Sequence, residues 1–159
     1  MNKRALVKKI LVQLTADLAL YHKAALNARD EATDEQSKAE NKYDTRGLEA
    51  SYLARGQSRQ AAETERTLGS FKALKLRAFG PEDAIDLGAL VELESKDGRS
   101  HYFIGPAGGG TEVIQDQQEV LVITPQSPLG QQLVGRKVGE RLRLAPSGNQ
   151  QDYCVVSVS

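Results

Sequence analysis

The sequence predicts an α+β protein in which an N-terminal antiparallel helical hairpin, a coiled coil, precedes a small antiparallel β-sheet domain with one short helix. Three observations carry this. Apolar residues recur at alternating spacings of four and three through Val7, Leu11, Leu14, Leu18, Tyr21, Ala25 and Ala28. The complementary rhythm follows through Gly47, Ala50, Ala54, Gln57, Ala61, Thr64, Leu68 and Phe71. Such a/d repetition over several heptads marks a coiled coil. Finally, the helical period stops at Phe79-Gly80-Pro81, and beyond about Ile85 the period is two. Proline cannot donate to a helical ladder and restricts the residue before it, so this is where the helical half ends. The expected domains are residues 1–78 for the hairpin and 85–159 for the sheet.

If the two seams face each other antiparallel, Leu14 lies against Thr64, Leu18 against Ala61 and Ala25 against Ala54, and the reversal falls near Ala39. The first helix, from about Lys3 to Ala32, is then on the order of 45 Å long at 1.5 Å per residue. Bulky seam residues gather at its N-terminal end, where Leu6 and Ile10 widen the apolar stripe, and alanines gather toward the turn. Gly47, Gly56 and Gly69 each cost the second helix about 1 kcal/mol against alanine. The hairpin is therefore expected to be the less stable half.

The turn between the helices, Asp30 to Asp44, holds six acids (Asp30, Glu31, Asp34, Glu35, Glu40, Asp44) and two lysines (Lys38, Lys42). A polar, solvated helix connection is the ordinary account of such a run. The functional account is geometric: carboxylates at the far end of a long arm can be carried into another molecule. Cations along the arm (Lys8, Lys9, Arg46, Arg55, Arg59, Arg66) are read either as contacts to RNA or to a partner, or as a normally charged helix face.

Composition bounds the rest. The chain has 159 residues with 21 basic and 21 acidic side chains, and a pI near 6.7. This balance argues against a general nucleic-acid coat and against electrostatic membrane binding. A single cysteine, Cys154, leaves no internal disulfide and fits a reducing cytosol. Lys8, Lys9 and Asp17 interrupt the apolar run that a secretory leader would need. No stretch approaches the roughly 18 apolar residues of a membrane span. A cytoplasmic location is expected.

In the second half, Ala89, Val91 and Leu93 alternate with Leu90, Glu92 and Glu94, and Asp97-Gly98 forms a hairpin turn into Ser100–Ile104. A glycine-rich surface loop follows, then strands near Glu119–Ile123, Arg141–Leu144 and Asp152–Val158, with a Ser147-Gly148 turn before the last. Four or five mostly antiparallel strands are expected. Between the strands near Glu119–Ile123 and Arg141–Leu144, Ser127 is a natural N-cap, Pro128 occupies the favoured first helical position and Gly135 supplies the left-handed stop. Leu129, Leu133 and Val134 should pack this short helix on the sheet, because two turns do not persist alone in water.

No P-loop is present, Gly108-Gly109-Gly110 completes no dinucleotide fingerprint, and His22 and His101 have no companions at ligand spacing. No serine sits in a nucleophile elbow. The acidic turn is the constellation to weigh.

The run Ser127-Pro128-Leu129-Gly130, followed by Leu133-Val134-Gly135-Arg136-Lys137-Val138-Gly139-Glu140, resembles the C-terminal domain of the Gre family, the bacterial transcript-cleavage elongation factors. Leu87-Gly88-Ala89-Leu90-Val91 and Gly105-Pro106 fall where that family has similar motifs, so the likeness covers most of residues 85–159. It implies an FKBP-like sheet domain that docks on bacterial RNA polymerase, with Ser127, Pro128, Leu129 and Gly130 as candidate docking residues. It also implies a hairpin entering the secondary channel to act at the nascent RNA 3′ end. An Asp and a Glu at the family's tip help hold the second magnesium ion of the polymerase's own active centre, where two-metal chemistry hydrolyses backtracked RNA.

At this tip, Glu40-Asn41 followed by Tyr43 matches the family's Glu-Asn…Tyr with one residue fewer, and Asp34 or Glu35 stands nearest the family's Gly-Asp. Asp34, Glu35 and Glu40 are therefore the assisting catalytic and metal-sharing candidates. They imply no cofactor of the isolated protein beyond magnesium shared with polymerase. The implied role is an accessory factor rather than an enzyme, with no membrane attachment and no sequence-specific DNA binding. Two other readings stand beside it: a non-cleaving regulator that occupies the same channel, and, from the FKBP-like fold, a peptidyl-prolyl isomerase.

Overall fold

The structure, a computed structural model, describes residues 1–34, 45–145 and 148–159. Helix α1 spans Lys3–Thr33 and α2 spans Arg46–Ala73. Six strands follow: β1 Leu90–Ser95, β2 Gly98–Ile104, β3 Glu112–Gln115, β4 Gln118–Ile123, β5 Arg141–Leu144 and β6 Gln151–Val158. The short helix α3, Pro128–Leu133, lies between β4 and β5. The chain divides into two compact units. One is Met1–Leu11 with Ser70–Ser159, and the other is Val12–Gly69.

The Val12–Gly69 unit is the helical hairpin, and its burial follows the heptads. Leu14 and Ala28 on α1, and Ala50, Ala61, Thr64 and Leu68 on α2, are buried, while Leu18, Tyr21, Ala25, Ala54 and Gln57 are half-buried. Every seam residue of this unit is at least half covered, and the expected partners Leu14 and Thr64 are both buried. Thr64 meets its own polar need by donating its hydroxyl to the Gln60 carbonyl at 2.9 Å, so it sits in the seam without an orphaned group.

In the other unit the sheet order is β3-β4-β2-β1-β6-β5. All neighbours are antiparallel except β2 and β4, which run parallel with His101 opposite Val120 and Ile104 opposite Ile123. One parallel pair among five fits the expectation of a mostly antiparallel sheet, and the sixth strand is one more than expected. The chain leaves β2, passes over the position of β4 to form β3 at the edge, and returns through β4 into the gap. The glycine loop makes that crossing, with Gly108 and Gly110 at φ of 70° and 92°. It is tied down where Gly105 N and Gly110 N donate to the Ile123 and Val122 carbonyls.

Strand β3 is the element that the sequence did not announce. It has four residues, and its turn into β4 places Asp116 and Gln117 at φ of 51° and 65° without a glycine. The β1–β2 turn, by contrast, falls at Lys96-Asp97 with Gly98 at φ 128°, as its Asp-Gly pair implies. Gly148 likewise has φ 92°, while its expected turn partner Ser147 lies outside the described residues.

One sheet face carries the main core: Val91, Leu93, Tyr102, Ile104, Ile123, Leu142, Leu144, Tyr153 and Val155, closed by Leu133 of α3 and with Leu129 packed against it. Strand alternation sends Phe103, Val120 and Val122 to the other face, where all three are buried. The Phe71 ring, at the end of α2, stacks there on Phe103 with centroids 6.4 Å apart. The first turn of α1 is fixed to the same unit. Asn2 caps it by accepting from Arg4 N and Ala5 N, Gln115 Nε2 donates to the Asn2 carbonyl at 3.1 Å, and Lys9 Nζ donates to the Ile114 carbonyl at 2.8 Å. Lys3 donates to the Arg77 and Gly88 carbonyls and lies over the Phe79 ring. Burial, and then the Arg77 charge, lower its pKa from the ordinary lysine value.

Leu133 is fully buried on α3, so Leu133→Ala should destabilise the protein by roughly 2–5 kcal/mol through lost transfer energy and the cavity left behind. Urea unfolding measures it, and a loss under about 0.5 kcal/mol would contradict the packing described.

Candidate functional site

The acidic end of the hairpin is assembled from the last turn of α1 and the residues that follow it. Asp30 and Glu31 are exposed on that turn and Asp34 is exposed just beyond it. No basic residue occupies the last turn. The C-terminal end of a helix carries partial negative charge, so acids there cost stability by something like 0.3–1 kcal/mol each where a lysine would gain it. Thr33 closes the helix by donating its hydroxyl to the Arg29 carbonyl at 3.1 Å. On the other side, α2 starts from Thr45, whose hydroxyl bonds Glu49 Oε1 and whose carbonyl accepts from Glu49 N. Of the three tip candidates, Asp34 is thus placed on the exposed end of α1, and Glu35 and Glu40 lie outside the described residues. Among the described residues, no three His, Cys, Asp or Glu side chains gather closely enough to hold a metal ion.

Ser127, Pro128, Leu129 and Gly130 are brought together at the start of α3, and each has a local task. Ser127 Oγ accepts from Gly130 N at 3.0 Å and donates to the Thr124 carbonyl at 2.8 Å. Pro128 opens the helix where no donor is needed. Leu129 packs on the core. Gly130 is buried, and a Cβ on it would overlap the Thr124 carbonyl oxygen. Past the C-cap residue Val134, Gly135 takes φ 89°, which is the left-handed stop expected. The outward surface of α3 is made of Pro128, Gln131 and Gln132, all exposed.

Two further clusters emerge that the sequence reading did not single out. On the sheet, Glu92 accepts from Arg99 Nη1 at 2.8 Å and from Ser157 Oγ at 3.0 Å, with His101 Nε2 at 3.9 Å. Hydrogen bonds from Arg99 to Glu92 and Glu94 push the guanidinium pKa further up. The signal was present: the Asp97-Gly98 turn fixes a register that puts Glu94 opposite Arg99 and Glu92 opposite His101. These contacts join β2, β1 and β6 side by side as a cross-strand polar ladder. The second cluster is a groove on the hairpin, between residues 22–33 of α1 and 51–58 of α2. Its basic residues, His22 and Arg29 on α1 and Arg55 on α2, lie within polar stretches that nothing in composition distinguishes from a solvated face.

No protein-family model matches the chain, and no curated protein does. Among solved structures, it is similar to GreA factor homolog 1 of Thermus thermophilus, with 22% identity, coverage of 94% of each chain and a TM-score of 0.41. It is similar to Gfh1 of Thermus aquaticus at 23% identity over 92% of this chain and 91% of that one, with a TM-score of 0.41. The GreA/GreB transcription elongation factor of Nitrosomonas europaea is 14% identical over 60% of this chain and 78% of its own, with a TM-score of 0.37.

Gly130→Ala should destabilise the protein by at least about 1–3 kcal/mol, the range for overpacking a tight site. Ser127→Ala should cost about 1 kcal/mol through the lost cap. Thermal melts of both variants check this, and an unchanged Gly130→Ala melt would contradict the close approach to Thr124.

Proposed function

We propose that this chain is a Gre-type factor that binds bacterial RNA polymerase, enters its secondary channel with the helical hairpin and assists cleavage of backtracked RNA. The observation that carries the reading is the joining, in one chain, of a heptad-seamed hairpin bearing exposed carboxylates at the end of α1 to a sheet domain whose capped helix begins Ser127-Pro128-Leu129-Gly130. The division of labour follows from this architecture. The sheet unit docks, with the start of α3 as the candidate contact, and the hairpin delivers Asp34, Glu35 and Glu40. Carboxylate oxygens are the donor class that magnesium takes, and a few of them on a solvated turn complete a site rather than build one. The magnesium shared with polymerase supplies charge neutralisation and an activated water. This chain's part is to hold oxygens at a fixed reach.

A second reading has its own support. The Gly-Asp dipeptide of the family's tip is absent here and the Glu40-Asn41…Tyr43 spacing is one residue short, which favours a factor that occupies the channel without stimulating cleavage.

A backtracked elongation complex distinguishes the readings. The wild-type chain should bind polymerase and accelerate release of the cleaved RNA 3′ fragment. Asp34→Asn, Glu35→Gln and Glu40→Gln together should leave binding within a few fold and abolish that acceleration. Binding without acceleration by the wild type would select the channel-occupying regulator, and no binding at all would remove both readings.

A further inference from the structure

The hairpin unit buries a single seam and leaves large apolar side chains in water: Leu20, Leu26, Leu48, Tyr52 and Leu53 are all exposed. Exposed apolar surface rimmed by polar residues is a feature of interaction sites. Leu26, 57% exposed, stands where α1 and α2 form a groove of about 500 Å³.

We propose that this groove docks an amphipathic helix of a partner protein, one that carries carboxylates along the edges of its apolar face. The floor is set by Ala25 and Ala54, half-buried seam residues too small to close it. Two helices meeting through alanines leave holes of the size that knobs from a third helix fill. The rim carries two arginines, Arg29 on α1 and Arg55 on α2, with His22 beside them, and among the described residues no Asp or Glu lines it. The Arg55 guanidinium is held 5.9 Å from the centre of the Tyr52 ring. Among the described residues, neither Arg29 nor Arg55 has a carboxylate partner. In this proposal the partner helix supplies the carboxylates that face these two arginines.

Shape selects the class of occupant. The lining residues of α1 run from position 22 to 33, roughly 16 Å or three turns at 1.5 Å per residue. That is the footprint of a helix laid in a groove through anchors at i, i+3, i+4 and i+7. A single-stranded nucleic acid would be met by aromatic faces on which bases stack, and among the described residues no Phe, Tyr or Trp lines the groove.

The test uses the full chain and synthetic peptides, with no polymerase present, so its outcome is separate from that of the function proposed above. A fluorescent peptide of about three heptads, with Leu and Ala on one face and Glu along its flanks, is titrated by anisotropy beside the same peptide with Lys flanks. The Glu peptide should bind at least about tenfold tighter than the Lys peptide. Arg29→Glu with Arg55→Glu should reverse that order, and Leu26→Asp should weaken the Glu peptide about tenfold without changing the melting profile, because Leu26 is exposed. Equal binding of the two peptides, binding of neither, or Glu-peptide binding indifferent to the double charge reversal overturns the proposal. A uridine oligonucleotide that binds more tightly than the Glu peptide and is released by the same charge reversal overturns it too, and makes the groove a nucleic-acid site.

Discussion

Much of the sheet unit depends on one contact, the stacking of Phe71 on Phe103. Phe71 is the last seam residue of α2 and Phe103 is a fully buried residue of a central strand. The ring can approach that closely because residue 105 is glycine: a Cβ there would stand 2.8 Å from Val122 Cγ1 and 3.1 Å from Phe71 Cζ. The heptad period and the strand period therefore meet at one aromatic pair. A sheet with one apolar face needs one layer to cover it. This sheet has two, because Phe103, Val120 and Val122 point away from the main core. The ends of the two helices, with Leu6, Ile10 and Phe71 all buried, are counted within the same unit. The sheet domain is in this sense completed by residues that the sequence writes in heptads.

Away from those ends the seam thins to Ala25, Ala28, Ala50, Ala54 and Ala61. A buried alanine removes little apolar area from water beside a leucine or phenylalanine, at about 25 cal/mol per Å², so the hydrophobic stabilisation of the arm falls toward the turn. The acids at the C-terminal end of α1 oppose the helix dipole and lower it further. Both features trade stability for slenderness and negative charge at one end. A chain selected for a stable hairpin alone would place leucines in the seam and a lysine at the close of α1.

What was legible followed from local rules. The heptads gave the seam almost residue by residue, since period alone decides which side chains of a long helix are covered. The Asp97-Gly98 turn, the Ser127 cap and the Gly135 stop were legible because each rests on a backbone requirement that few residue types meet. Strand β3 was hidden because Asp116 and Gln117 adopt left-handed φ without the glycine or asparagine that signals such a turn. The parallel pairing of β2 with β4 was hidden because strand order is a long-range choice that alternation does not encode. The groove at His22, Arg29 and Arg55 was hidden for another reason. Its cations become neighbours only when two helices are set side by side, and along the chain they are ordinary surface charges. For the tip, Asp34 is exposed just beyond the end of α1, while the candidates Glu35 and Glu40 lie outside the described residues.

The expectation of a peptidyl-prolyl isomerase rests on an FKBP-like fold alone. A fold carries no chemistry by itself, and function has to be argued from the site. An isomerase pocket would be lined by aromatic side chains, and residues 85–159 contain Tyr102, Phe103 and Tyr153 alone. Phe103 is wholly enclosed under Phe71, and Tyr153 is enclosed in the main core. Burial raises the pKa of the Tyr102 phenol, and the hollow that Tyr102 borders is lined otherwise by groups such as Arg99, His101, Glu112 and Glu119. Phe103 and Tyr153 are committed to holding the sheet together, while Tyr102 borders the polar hollow. The polar lining of that hollow on the sheet unit, and a thin seam with an acidic end on the hairpin, are the two features in which the units differ most.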